Sequence, residues 1–217
     1  MLLQPVQRTK LDDTDDTLFY AEPRFVTHVD EGFIQQLTGL YRERLQPQSS
    51  ILDLMSSWVS HLPEDMEFER VEGHGLNAAE LARNSRLDRF FVQDLNQDLK
   101  LPFPDRQFDA VLNAVSVQYL QYPEAIFSEI FRILKPGGIV IVSFSNRMFY
   151  QKAIQAWRDG SEPDRVALVK GYLASGPGLS SPEIVIRAAP TVSPFLQLLG
   201  LGGGDPFYAA IASRPLD

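Results

Sequence analysis

DLNQDLKLPFPDRQFDAVLNAVSVQYLQYPEAIFSEIFRILKPGGIVIVS, residues 94–143, decides the fold. Within it, Gln107 to Val117 is almost continuously apolar, the pattern of a strand covered on both faces. Ala125, Ile126, Ile130, Ile133 and Leu134 then recur at helical spacing between Tyr122 and Leu134. Lys135-Pro136-Gly137-Gly138 is expected to end that helix, with glycine supplying a left-handed turn and proline forbidding continuation. IVIVSFS follows as a further strand. A strand, a helix and a strand in succession imply a parallel pair joined by a right-handed crossover.

The same alternation extends outward. SSILDLMSS, MEFERVEGHGLN and RFFVQDL read as three earlier strands, with AAELARNS a short helix between the second and third. Glu31 to Leu45 is an amphipathic helix carried by Phe33, Ile34, Leu37, Leu40, Tyr41 and Leu45, and Pro47 stops the pattern. GGGDPFYAAIASRP reads as a last strand entered from a glycine-rich turn. No repeat or linker interrupts the chain, so residues 1–217 are read as one domain. Residues 1–17, acidic at Asp12, Asp13, Asp15 and Asp16, are expected to be a flexible tail. Residues 18–46 read as N-terminal cap helices and 47–217 as the core, with 150–183 a helix and loop insertion that forms a lid or fills the surface.

Composition narrows the function classes. The net charge of −8 argues against a nucleic-acid partner, and the arginines do not cluster into a basic patch. The absence of cysteine excludes thiolate chemistry and fits a cytoplasmic location. The N-terminus does not read as a signal peptide, and nothing approaches the run of about 18 apolar residues that a membrane span requires. Three dispersed histidines show no metal-ligand spacing.

In a doubly wound sheet, ligands bind beyond the carboxyl ends of the strands where strand order reverses. Asp53 ends the first strand, and an uncompensated carboxylate there would be costly without a ligand. From about Ile51 to Phe144 the chain resembles the class I S-adenosylmethionine-dependent methyltransferases of the small-molecule type 11 sort. The ordered set Asp94, Leu101-Pro102-Phe103-Pro104-Asp105, Phe108-Asp109 and Arg132-Ile133-Leu134-Lys135-Pro136-Gly137-Gly138 carries the resemblance. The loop SSWVSHLP and the segment Phe19 to Asp30 are similar to those of a plant and cyanobacterial subgroup whose first motif lacks glycine.

The resemblance implies a Rossmann-like α/β fold, doubly wound, with a mostly parallel seven-stranded sheet and helices on both faces. It implies S-adenosylmethionine as cofactor and methyl transfer to a small-molecule acceptor by a monomer or homodimer. Asp53 then organises the methionine end, Asp94 accepts from the adenine amine with Leu95 beside it, and Asn113 and Ala114 line the end of the fourth strand. Met55, Ser57 and Val59 stand where the family carries glycines, so Met55, Ser57 and Trp58 are expected against the cofactor. Gly75 occupies the place of the family's ribose-binding acid, with Glu72 and Asn77 as nearby substitutes.

Tyr20, Arg24 and Phe25 suit a planar or anionic substrate or the cofactor's carboxylate, and otherwise dock the N-terminus onto the sheet. Arg147 and Phe149 mark a substrate rim or plain packing, and His28 is the candidate general base. The absent glycines and ribose acid keep a second reading open, a non-catalytic S-adenosylmethionine- or S-adenosylhomocysteine-binding or regulatory protein. A dehydrogenase is disfavoured because no G-x-G-x-x-G follows the first strand.

Overall fold

A computed structural model of the chain describes residues 2–187 and 204–216. Among these residues seven strands form one sheet, β1 (Ser50–Asp53), β2 (Arg70–Gly75), β3 (Arg89–Val92), β4 (Phe108–Ala114), β5 (Leu134–Phe144), β6 (Glu183–Arg187) and β7 (Phe207–Ser213). Their order is β3-β2-β1-β4-β5-β7-β6. The first five run parallel, and β7 lies antiparallel to both β5 and β6. The order reverses between β1 and β4, which opens a crevice beyond their carboxyl ends.

Successive strand residues point to opposite faces, so each central strand feeds two cores. Leu52, Val111, Val140 and Ala210 pack on one side with α4 (Pro123–Ile133) and α6 (Glu162–Ser175). Their neighbours Ile51, Leu112, Ile141 and Ile211 pack on the other with α2 (Glu31–Arg44). This double covering explains the unbroken apolar runs in the sequence. Two shorter helices complete the described elements of this kind beside α1 (Asp16–Phe19), namely α3 (Ala78–Arg83) and α5 (Gln155–Arg158).

Several expectations are corrected. The helix α4 ends at an extended Leu134 and β5 begins there, so Lys135 to Gly138 belongs to the strand. Gly137 is left-handed at φ 79°, but where the β4–β5 register shifts rather than as a helix cap. The helix α2 buries Phe33, Leu37, Leu40 and Tyr41 and is a layer of the core, not a cap. Residues 150–183 are also no lid, because Trp157, Tyr172 and Leu173 are fully buried. The strand β6 is not among the strands expected from sequence, and most of the glycine-rich turn before β7 lies outside the described residues.

The largest correction concerns residues 1–17. Leu3 is buried, and Arg8 holds Glu124 with two hydrogen bonds of 2.6 and 3.0 Å. The fully buried Lys152 donates to the Thr14 carbonyl at 2.7 Å and pairs with Asp12 and Asp16 at 3.3 Å. Lys10 pairs with Asp16 as well. Asp12 and Asp16 are therefore paired with cations and tie the segment to the core, while Asp13 and Asp15 stay exposed, so the segment is not a loose tail.

Candidate functional site

One cavity of about 340 Å³ occupies the crevice, a size typical of small-molecule sites. Its floor is the carboxyl ends of β1, β2 and β4. The loop after β1 forms one wall, and residues 20–29 of the N-terminal segment pass over as a strap.

The loop after β1 keeps its course without glycine. Met55 adopts a left-handed φ of 58°, which costs an L-residue about 1–2 kcal/mol. The Met55 amide donates to His74 Nδ1 at 3.0 Å and the Ser56 amide to the His74 carbonyl at 2.6 Å. Because Nδ1 accepts, the imidazole proton sits on Nε2, which faces the Gln93 carbonyl at 2.8 Å. Burial holds the His74 pKa down at about 4, so the ring stays neutral and serves as a brace. Ala at position 55 would keep the backbone strain that Gly releases, and neither would keep the methionine side chain. Met55→Gly should therefore be more stable than Met55→Ala by about 1 kcal/mol in urea unfolding, the reverse of the order in a helix or strand interior. Equal stabilities would show that this backbone relaxes freely.

The loop lies so close to β2 that a Cβ on Gly75 would stand 2.5 Å from the Ser56 carbonyl oxygen. The missing glycines and the missing ribose acid are thus one structural feature.

Four carboxylates face the cavity: Asp16, Asp53, Glu80 and Asp94. Burial raises Asp53 to about 6, against opposing hydrogen bonds from the Ser56 and Ser60 hydroxyls. The Ser56 bond measures 2.6 Å. Burial also raises Asp94, whose Oδ1 accepts the Asn96 amide at 2.8 Å. Glu80 accepts the Ser57 hydroxyl at 2.6 Å and the Arg24 amide at 2.7 Å.

The strap packs on an aromatic cluster built round Phe149, which follows β5. Phe19 and His28 meet it edge-on at 5.3 and 5.1 Å, and the Arg24 guanidinium lies 5.3 Å from its centre. The Arg24 Nη1 is buried without a hydrogen-bond partner. Trp58 ties loop to strap through Nε1, which donates to the Val26 carbonyl at 3.1 Å. Burial lowers the His28 pKa, which keeps the ring neutral, with a nitrogen free to accept a proton though less basic than in a free histidine.

Of the residues singled out from sequence, the cavity brings together Tyr20, Arg24, His28, Asp53, Met55, Ser57, Trp58, Asn77, Asp94, Leu95, Ala114, Arg147 and Phe149. Neither Met55 nor Trp58 fills it; both stand on its wall. Phe25 and Asn113 are corrections. Phe25 lies outside the cavity beneath Arg83, 4.5 Å away, and the buried Asn113 donates to the Leu54 carbonyl at 3.2 Å. Asn77 borders the cavity, but its amide cannot serve a ribose. It caps α3 through the Ala79 and Glu80 amides and donates to the carbonyls of Tyr20 and Ala21. Glu72 pairs with Arg70 at 3.4 Å, away from the cavity. Arg147 reaches the wall while its Nε donates to Asp205 at 2.6 Å. Sequence reasoning missed Glu80, Tyr119 and Val115, the last a β-branched residue at a left-handed φ of 51° where β4 opens into the cavity. An acidic third residue in the helix AAELAR was the one visible signal for Glu80.

Strand order and the switch-point cavity are those of the class I S-adenosylmethionine-dependent methyltransferase fold. Residues 70–142 match the family model described as "Methyltransferase domain". The chain is 34% identical to a fatty-acid O-methyltransferase of Mycolicibacterium smegmatis, over 34% of this chain and 36% of that protein. It is 33% identical to a malonyl-(acyl-carrier protein) O-methyltransferase of Marinomonas sp., over 56% of this chain and 38% of that protein. The chain thus spans well under half the length of these curated relatives.

Among solved structures, a putative sarcosine dimethylglycine methyltransferase from Galdieria sulphuraria superposes with a TM-score of 0.59 at 12% identity, covering 93% of this chain and 99% of that one. The cyclase SpnF superposes with a TM-score of 0.58 at 19% identity, covering 84% and 82%. At such identities these structures speak for the fold alone.

Proposed function

We propose that the chain binds S-adenosylmethionine in this cavity and transfers its methyl group to a small-molecule acceptor. The observation that carries this reading is a switch-point cavity with Asp53 at the end of β1 and Asp94 just beyond β3, the places where the fold holds the methionine and adenine ends of the cofactor. The residues fit the group. Asp53 accepts from the methionine ammonium, Asp94 accepts from the adenine amine, and the unpartnered Arg24 Nη1 suits a carboxylate of cofactor or acceptor. The cofactor supplies a methyl already activated on sulfonium, so the chain's task is to align the acceptor and exclude water. Tyr20, Arg147 and Phe149 bound the acceptor side, and His28 takes a proton where the acceptor must lose one.

The net charge of −8 favours a small molecule over nucleic acid. Among the described residues no helix is long and apolar enough to cross a membrane, and no cluster of His, Asp and Glu could hold a metal. We place the protein in the cytoplasm as a monomer or homodimer. A second reading, cofactor binding without methyl transfer, draws on the glycine-free loop, and it shares the same cofactor chemistry.

Calorimetry of the full chain with S-adenosylhomocysteine tests the binding. A carboxylate raised to about 6 is ionised at pH 7.5 and largely protonated at pH 5, and only the ionised form pairs with the ligand's ammonium. Affinity should fall by about tenfold from pH 7.5 to pH 5. Asp94 titrates in the same direction, whereas His28, lowered by burial, charges only in more acid solution than a free histidine. No heat at either pH from the folded protein would sink the reading. Mass spectrometry of methylated products after incubation with candidate acceptors separates transfer from binding alone.

A further inference from the structure

A nucleoside lying between Asp94 and Asp53 must pass its ribose over the end of β2. There the chain has Gly75, and no side chain fits, because a Cβ would stand 2.5 Å from the Ser56 carbonyl. The diol therefore needs another acceptor. Asp53 accepts the Ser56 hydroxyl at the end of β1, and Asp16 is paired with Lys10 and Lys152. Glu80 remains, one turn into α3 and buried on the same wall as Gly75 and Asn77.

We propose that Glu80 is the ribose-binding carboxylate of this chain, moved from the end of β2 into α3. The proposal rests on the cofactor reading above. Both hydrogen-bond donors to Glu80, the Ser57 hydroxyl at 2.6 Å and the Arg24 amide at 2.7 Å, are neutral. They take one site on each oxygen, and a carboxylate offers about four, so each oxygen can still accept one hydroxyl of a vicinal diol. Hydroxyls donated to an ionised oxygen make strong bonds of high directionality. The same two partners come from the β1 loop and the strap, so Glu80 is set where loop, strap and helix meet. The family's acid and glycines are exchanged here as a unit: the loop closes on Gly75, and the carboxylate reappears where the closed loop can hold it.

The test compares adenosine with 2′,3′-dideoxyadenosine by calorimetry on the full chain, beside S-adenosylhomocysteine. Wild type should bind adenosine about tenfold more tightly than the dideoxy form, the scale of hydrogen bonds to a charged group. In Glu80→Gln that ratio should fall to about threefold or less while dideoxyadenosine affinity holds within about twofold. Glu80→Asp keeps the charge but withdraws it, and should lose at least half of the discrimination. A wild type that binds S-adenosylhomocysteine yet ignores the ribose hydroxyls, or either variant keeping the full ratio, overturns the proposal. Failure of wild type to bind S-adenosylhomocysteine is a different result and removes the cofactor reading first. A purely packing role for Glu80 would lower affinity for both nucleosides together and leave their ratio unchanged.

Discussion

Gly75→Asp, which installs an acid at the end of β2, should destabilise the protein and weaken cofactor binding rather than improve it. The new Cβ would meet a backbone oxygen, that of Ser56, at 2.5 Å, and a backbone atom cannot swing aside as a side-chain tip can. Leu81 crowds the same point at 3.3 Å. Relief requires the loop after β1 to lift. Lifting breaks the Met55 amide bond to His74 Nδ1 and the Ser56 amide bond to the His74 carbonyl, each worth about 1 kcal/mol. Overpacking of a close contact adds about 1–3 kcal/mol. The sum, about 3–5 kcal/mol, corresponds to a fall in Tm of roughly 6–20 °C for a chain of this size. Gly75→Ala carries the steric share without the charge and should lie between wild type and Gly75→Asp. Differential scanning calorimetry with and without S-adenosylhomocysteine checks both. A Gly75→Asp protein with unchanged Tm and tighter ligand binding would show that the loop has an open form, and would leave Glu80 without a role in ribose binding.

That expectation bears on what the sequence can disclose. The run from Asp94 to Ser143 was readable because its signals are local. A strand buried on both faces is apolar throughout, an amphipathic helix repeats at its own period, and Asp94 and Asp53 interrupt apolar runs where a buried carboxylate is costly. The carboxyl-end cavity followed from topology. What stayed hidden depends on contacts between distant residues. The run Asp12 to Asp16 reads as solvated because, beside the nearby Lys10, its fully buried cation Lys152 lies far along the chain. Asn77 looked like a ribose partner because nothing local shows that Tyr20 and Ala21 consume its amide protons. Glu80 looked like an ordinary helix residue because its environment is made by Ser57 and Arg24. The absence of glycine after β1 leaves a non-catalytic reading open in the sequence, whereas in the structure Met55 holds the left-handed turn and His74 braces it. Local chemistry was legible at strand ends, and long-range compensation was not.

Lys152→Met should be among the most destabilising single changes in the chain. Methionine nearly matches the lysine stem in volume, so the substitution leaves little cavity and isolates the loss of the ammonium group. That group is fully buried and donates to the Thr14 carbonyl at 2.7 Å, with Asp12 and Asp16 at 3.3 Å. Its removal leaves the buried Asp16 with Lys10 and the Asn96 amide, and strands the Thr14 carbonyl. Breaking a buried charge pair from one side costs about 3–5 kcal/mol, because the remaining groups keep their desolvation penalty. The exposed pair of Arg42 and Asp65, with side chains 51% and 68% accessible, provides the contrast, and Arg42→Ala should cost less than about 1 kcal/mol. Lys152→Met should also free the segment around Thr14 ahead of global unfolding. Amide exchange there should rise and limited proteolysis should cut near Asp13, while the sheet stays protected. Asp16 and Tyr20 stand on the cavity wall, so loosening that segment withdraws one side of the ligand site, and S-adenosylhomocysteine affinity should fall with the loss of order. A Lys152→Met protein as stable as Arg42→Ala, with its N-terminal amides still protected, would mean that apolar packing of Leu3 and the Arg8–Glu124 pair hold the strap unaided.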